Sequence, residues 1–243
     1  MIITKDNGTI HTLVNSNFLE VEGLPTFDMV LTDPPFATTQ AKWDTPLDLP
    51  ETWKWIGDVT HERTPILLFA QTPFDKVLGV SNIRKLKYEW IWEKTSATGH
   101  LNAKKMPMKC HENVLVFYDK LPLYTPQKTT GHVRKTAFKG SHLQSELYNK
   151  VTNNTTYDST ERYPRDVLKF ASDKQKLNLH STQKPLELLR YMIRTYTNEG
   201  DTILDFTAGS CSLAVAAIHI QKGWDEGWYK ESYHERCFKA KAK

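Results

Sequence analysis

Phe27-Asp28-Met29-Val30-Leu31-Thr32-Asp33-Pro34-Pro35-Phe36 is the stretch on which the reading of this chain turns. The short apolar run from Phe27 to Leu31 has the length and composition of a buried strand. Asp33-Pro34-Pro35-Phe36 ends it, because proline fixes φ, lacks an N–H and holds the residue before it extended. Asp33 is thereby set at a strand end, where its carboxylate and the Pro34 carbonyl can each accept an N–H from one amino group. Phe36 adds a ring face on which a flat base can stack, worth roughly 1–3 kcal/mol. Such a set suits an exocyclic amino group, whose lone pair is delocalised into its ring. Two acceptors draw that nitrogen toward a tetrahedral, more nucleophilic state that can take a methyl group. The plainer alternative is a proline-stiffened turn with one capping aspartate.

A second stretch decides between them. Thr202-Ile203-Leu204-Asp205-Phe206-Thr207-Ala208-Gly209-Ser210 reads as a short strand ending in an acid and a small-residue turn, and the residues from Leu213 to Ile220 read as the following helix. Strand, loop and helix units of this kind bind adenosine-type ligands at the carboxyl edge of parallel sheets. Upstream lies His180-Ser181-Thr182-Gln183-Lys184-Pro185, then Leu186, Leu189, Met192, Ile193 and Tyr196 at helical spacing, with Thr182 as an N-cap and Gly200 as a stop.

On these residues the chain resembles the S-adenosylmethionine (SAM)-dependent DNA amino-methyltransferases, in the permuted group whose catalytic tetrad precedes the SAM loop. It is most similar to the small phage-type adenine-N6 members. The matching pieces are Asp33 to Phe36 with Trp43-Asp44, the strand Tyr88 to Lys94, His111-Glu112 opening Asn113 to Phe117, the His180 to Pro185 box and the Asp205 to Ser210 loop. The resemblance implies catalysis by Asp33, Pro34, Pro35 and Phe36. It implies SAM binding by Asn17, Asp33, Thr182, Lys184, Asp205, Thr207, Ala208, Gly209 and Ser210. The resemblance also implies an acid for the ribose hydroxyls; the family count reaches Tyr229, which is not one, and among the nearby Asp225, Glu226 and Glu231, Glu231 is favoured.

Two further positions depart from the family. Cys211 replaces the usual loop glycine, where a Cβ costs ~1–2 kcal/mol if the backbone is left-handed. Asn17 replaces a common aspartate, and its amide still offers both a donor and an acceptor. Cys211 and the missing acid at Tyr229 motivate an alternative reading, a DNA-binding protein that keeps the fold and has lost turnover. Aspartate at the head of the tetrad is, by resemblance, more often adenine-specific, and cytosine N4 shares the geometry.

Charge is uneven along the chain. Residues 94 to 140 carry nine Lys/Arg against two Asp/Glu in a protein of net charge +4. Lys94, Lys104, Lys105, Lys109, Lys120, Lys128, Arg134, Lys135 and Lys139 read either as a phosphate-tracking groove, whose contacts would release counterions, or as a solvated face. Arg162 and Arg165 are further candidates for bases or phosphates. The partner implied is double-stranded DNA; a homodimer and a cognate restriction endonuclease stay open.

The alternation of strands (27–31, 65–70, 88–92, 113–118, 202–206, 228–230) with helices (49–60, 74–86, 185–197, 212–221) predicts an α/β fold with a doubly wound, mostly parallel sheet. Residues 1–120 form the catalytic half, 179–243 the SAM-binding half, and 121–178, read as loop and short helix, a target-recognition insertion. Cys110, Cys211 and Cys237 lack metal-ligand spacing and a Pro-Cys pair, so they read as reduced thiols with no metal and no covalent cytosine-C5 route. His111-Glu112 reads as a strand-edge structural pair. No apolar stretch reaches the ~18 residues of a membrane span and no signal opens the chain, which predicts a cytoplasmic protein of a bacterial or phage-infected cell.

Overall fold

The computed structural model describes residues 2–6, 9–139, 155–172 and 183–223. Strands β1 (Ile2–Asp6) and β2 (Thr9–Leu13) form an antiparallel hairpin. The central sheet contains β3 (Met29–Thr32), β4 (Ile66–Ala70), β5 (Leu86–Thr98), β6 (Lys109–Phe117), β9 (Val167–Phe170) and β10 (Ile203–Leu204), in the order β10-β3-β4-β6-β5-β9. Only β6 runs against the rest, since β10/β3, β3/β4 and β5/β9 pair parallel while β6 is antiparallel to both β4 and β5.

The period-2 alternation of the strands explains the two-layer cover. Met29, Leu31, Leu67, Phe69, Val114 and Val116 face one core with helices α3 (Leu186–Tyr196) and α4 (Ser212–Gly223). Val30, Ile66, Leu68, Leu115 and Phe117 face the other with α1 (Leu49–Asp58) and α2 (Phe74–Ser81). A sheet buried on both faces accounts for the near-continuous apolar strands. In α1, the Asp48 side chain caps the first turn by accepting from Glu51 N at 3.0 Å.

Several expectations need correction. The helix read over 74–86 stops at Ser81, and Leu86 already begins β5, which runs on to Thr98 instead of ending at Trp92. The N-cap of α3 is Pro185, not Thr182. The 121–178 segment contains strands: β7 (Lys135–Lys139) pairs antiparallel with β8 (Thr155–Ser159), and β9 joins the central sheet beside β5. Two compact units result, one of Met1–Thr125 with Asp166–Lys243, the other of Pro126–Arg165. Thr182, Glu231 with its competitors Asp225 and Glu226, Tyr229, Cys237, the strand read over 228–230 and the side chain of Lys139 lie outside the described residues. Among the described residues no helix is long and apolar enough to cross a membrane.

Candidate active site

Parallel pairing of β10 with β3 puts Ile203 opposite Met29 and Leu204 opposite Val30, so both strands end at one edge of the sheet. The Asp33 turn and the Asp205 loop, distant in sequence, therefore leave the sheet side by side. Asp28 fastens the start of this pairing, accepting from Thr202 N at 2.7 Å and Thr202 Oγ1 at 2.8 Å. At the edge itself, Thr32 Oγ1 donates to Asp205 Oδ1 at 2.6 Å and lies 2.5 Å from Thr207 Oγ1. Thr207 N donates to the same Asp205 oxygen at 3.2 Å. Burial pushes the Asp205 carboxyl up to about 6, against the bonds from Thr32 and Thr207, and the nearby Asp33 charge adds to the rise.

The loop continues through a tight turn in which Cys211 N donates to Ala208 O at 2.6 Å. Gly209 (φ 49°) and Cys211 (φ 58°) are both left-handed. The strain foreseen for a Cβ at position 211 is thus present, at a buried residue immediately before α4. Ser210 Oγ and Ser212 Oγ lie 2.7 Å apart across the same turn.

Around the tetrad, Pro34 is buried and Phe36 stacks on Phe74 with ring centroids 5.4 Å apart and planes at 24°. The chain then turns through Ala37, whose φ of 54° is left-handed. Asp44 holds this turn: its Oδ1 accepts from Ala37 N at 2.7 Å, and its Oδ2 from Thr38 N at 2.9 Å and Thr39 N at 2.7 Å. Burial works against its charge, yet the bonds from Thr39, Ala37 and Thr38 hold its carboxyl below the ordinary range.

A chain of alternating charges runs from Asp33 into the sheet. Lys184 Nζ lies 2.8 Å from Asp33 Oδ1 and 2.9 Å from Glu112 Oε2, and Lys94 Nζ lies 2.5 Å from Glu112 Oε1. The Lys184 ammonium also sits over the rings of Phe69 (4.9 Å) and Phe36 (5.5 Å). Burial opposes both charges, but the ammonium groups of Lys184 and Lys94 bring Glu112 down to about 2, and Asp33 and Glu112 keep Lys184 raised.

The structure thus gathers Asp33, Pro34, Phe36, Lys184, Asp205 and Thr207 at one sheet edge. Asn17 is exposed and caps a short 3-10 turn, accepting from Leu19 N at 3.3 Å. The next residue, Phe18, packs on Phe206 beside Asp205, with centroids 4.8 Å apart. Lys94 is corrected: its side chain is buried against Glu112, so it is not available to a phosphate. Arg162 is likewise spent on carbonyls, donating to Ser159 O, Glu161 O and Val133 O within the Pro126–Arg165 unit. Arg134 pairs with Asp158, and Lys135 and Arg165 are exposed in that same unit. Lys104 and Lys105 are exposed in the first unit, and Lys109 Nζ donates to Gln71 Oε1 and Thr72 O.

Three site residues escaped the sequence reading: Thr32, Asp44 as the holder of the turn, and Glu112. The signal for Glu112 was a carboxylate leading into the apolar run Asn113 to Phe117 without a solvated partner pattern. Among the described residues no group of three or more His, Cys, Asp or Glu could hold a metal ion.

The SAM requirement can be tested on the donor set. A ligand carrying a sulfonium and an ammonium calls for carboxylates, and two, Asp33 and Asp205, stand close enough for one to shift the other. The turn of residues 208–211 leads into the N-terminus of a twelve-residue helix, where amide N–H groups face outward. These residues fit the group.

Known proteins agree. The chain is 24% identical over 242 residues to the Type II methyltransferase M1.MboII of Moraxella bovis, covering 88% of this chain and 89% of that protein. Its fold matches the M1.HpyAVI–SAM complex (TM-score 0.51, 19% identity, 81% of this chain and 80% of that one). It also matches the PvuII DNA methyltransferase, a cytosine-N4-specific enzyme (TM-score 0.55, 12% identity, 92% and 88%). The model of the DNA methylase family, N6_N4_Mtase, matches residues 27–224, a span that takes in both the Asp33 turn and the Asp205 loop. The chain therefore belongs to the DNA methylase family and is a DNA amino-methyltransferase of the N6/N4 type.

Proposed function

We propose that this enzyme methylates the N6 amino group of adenine in duplex DNA, taking the methyl directly from SAM without a covalent enzyme intermediate. The observation that carries the reading is the place of Asp33: at the end of β3, beside Asp205, with one oxygen on Lys184 and 26% of its side chain exposed to the edge. SAM, when bound, supplies a methyl already activated by positive charge. Asp33 and the Pro34 carbonyl accept the two N–H bonds of the target amine and localise its lone pair. Phe36, braced on Phe74, carries the base. Asp205, fixed by Thr32 and Thr207, holds its side of the cofactor cleft, together with residues 207–210 of the loop. A base inside the duplex cannot reach this edge, so the target nucleotide flips out.

The preference for adenine rests on aspartate at the head of the tetrad; cytosine N4 presents the same two N–H bonds. Lys104, Lys105 and Lys109 are assigned to phosphates, and the Pro126–Arg165 unit, with Arg134, Lys135 and Arg165, to target recognition. Incubation with labelled SAM and unmethylated plasmid, followed by mass spectrometry of the nucleosides, tests the assignment. N6-methyladenine is the expected product, and N4-methylcytosine would overturn the choice of base. The left-handed Cys211 favours a second reading, a chain that binds DNA without turnover. No methylated nucleoside, with no SAM binding by calorimetry, would select it. Asp33→Ala is expected to fold and to lose transfer, since a hydrogen bond to a charged acceptor is worth about 1.5–3 kcal/mol.

A further inference from the structure

The methylation chemistry uses Asp33, yet three charges stand behind it that this chemistry does not require. Glu112 and Lys184 are buried, at 9% and 8% exposure, and the side chain of Lys94 is 8% exposed. Stability does not account for them, because an apolar set of similar volume in place of a buried ion-pair array is often as stable or more so. Their order is informative. Glu112 divides its oxygens, Oε1 to Lys94 and Oε2 to Lys184, and Lys184 carries the contact on to Oδ1 of Asp33. Lysine is a point charge on a flexible four-carbon stem, and its ammonium takes a fixed place only where several partners hold it. Here two carboxylates and the faces of Phe36 and Phe69 do so.

We propose that Glu112 is a positioning residue for methyl transfer: it holds the Lys184 ammonium on Oδ1 of Asp33, so that the carboxylate keeps one orientation and turns Oδ2 to the target amine. This rests on the reading of Asp33 as the amine acceptor. Without Glu112, Lys184 has one carboxylate left and settles across Asp33, competing with the amine for both oxygens. Lys94, tied to Glu112 across the β5/β6 pair in which Trp92 lies opposite Glu112, keeps Glu112 from following Lys184 outward.

The test is single-turnover transfer by the full chain with saturating labelled SAM and unmethylated plasmid, for Glu112→Gln, Lys184→Gln and the double variant. SAM affinity by calorimetry and thermal melting are measured alongside. Each single substitution is expected to slow transfer roughly tenfold to a hundredfold, the scale of misplacing a reacting group by about an ångström, and Glu112→Gln, which lies outside the SAM-binding set, to leave SAM affinity unchanged within about twofold. The double variant should be no slower than the slower single, because both act through one contact. Wild-type transfer by Glu112→Gln, multiplied losses in the double, or a loss in Glu112→Gln that follows its SAM affinity would each overturn the proposal. If Glu112→Gln does not fold, Glu112→Asp, which keeps the charge but withdraws it by one methylene, must show the same slowing with SAM affinity kept; a wild-type rate there overturns it equally. Asp33→Asn separates the two readings. Slowing by Asp33→Asn alone refutes only the role of Glu112, whereas wild-type transfer by Asp33→Asn removes the reading on which that role rests.

Discussion

Asp44→Ala removes a carboxylate that accepts from three amides of the turn after the tetrad, and its cost can be worked from the contacts. Three backbone amides, those of Ala37, Thr38 and Thr39, lose a charged acceptor at 2.7, 2.9 and 2.7 Å. Buried bonds to a charged group are worth about 1.5–3 kcal/mol each, but the three donors belong to exposed residues and water replaces part of that, leaving roughly 1 kcal/mol apiece. Against this total of about 3 kcal/mol, release of Ala37 from its left-handed φ of 54° returns ~1–2 kcal/mol. The net loss is about 1–2 kcal/mol, which for a chain of this size lowers the melting temperature by roughly 2–8 °C. The loop should also open locally, so hydrogen exchange at Ala37, Thr38 and Thr39 accelerates and Phe36 loses its fixed stack on Phe74. The pH dependence has a definite sign. The Asp44 carboxyl is held below its unfolded value of about 3.9, so its stabilisation is full above that pH and is lost as pH falls through the folded value. Wild type and variant should converge in acid. A variant that melts within about 1 °C of wild type at neutral pH, with unchanged exchange at the three amides, would refute the account.

Tyr196→Phe takes away the acceptor of Trp90 Nε1 (2.7 Å) and the partner of Tyr88 OH (2.7 Å); the stranded indole N–H should cost about 1–3 kcal/mol in urea unfolding. Cys211→Gly should leave stability unchanged or raise it by up to about 1.5 kcal/mol in urea unfolding, because ~1–2 kcal/mol of relief at the left-handed backbone is offset by ~0.4–1 kcal/mol of added freedom in the unfolded chain, whereas Cys211→Val should be clearly destabilising in the same assay. Asp205, raised to about 6, keeps its proton to a higher pH in the folded chain than in the unfolded one. Its contribution is therefore present below about pH 4 and lost as pH rises through about 6, and the stability of wild type relative to Asp205→Asn should fall across that window in melts taken at each pH.

The parts of this site that could be read from the sequence are those in which local chemistry names the place. Two prolines after a buried strand can only end it, and an acid before a small-residue turn marks the edge of a parallel sheet, so Asp33 and Asp205 were legible separately. Their meeting follows from the parallel pairing of β10 with β3, a choice of neighbours that the strand assignments allow and the structure makes. The other edge of the sheet was harder. Val167-Leu168-Lys169-Phe170 alternates in burial and lies soon after Pro164, so it carries the weak signal of a half-solvated strand, and β9 was missed. The charged residues behind the site were the least legible, for a physical reason. Lys94 stands just past the strand read over 88–92, inside the longer β5, and first in a basic run, where a solvated or phosphate-facing role is the ordinary expectation. What buries it is the β-pairing of Trp92 with Glu112, which brings two charges from opposite sides of a long hairpin together under the tetrad, and then the arrival of Lys184 from 72 positions beyond Glu112. A lysine becomes part of a site through carboxylates supplied by other segments, so its role lies in the register of the sheet and not in its own neighbours along the chain. The same logic makes Glu112 informative: a carboxylate that a sheet buries between two ammonium groups fixes where both of them point, and one of them points at Asp33.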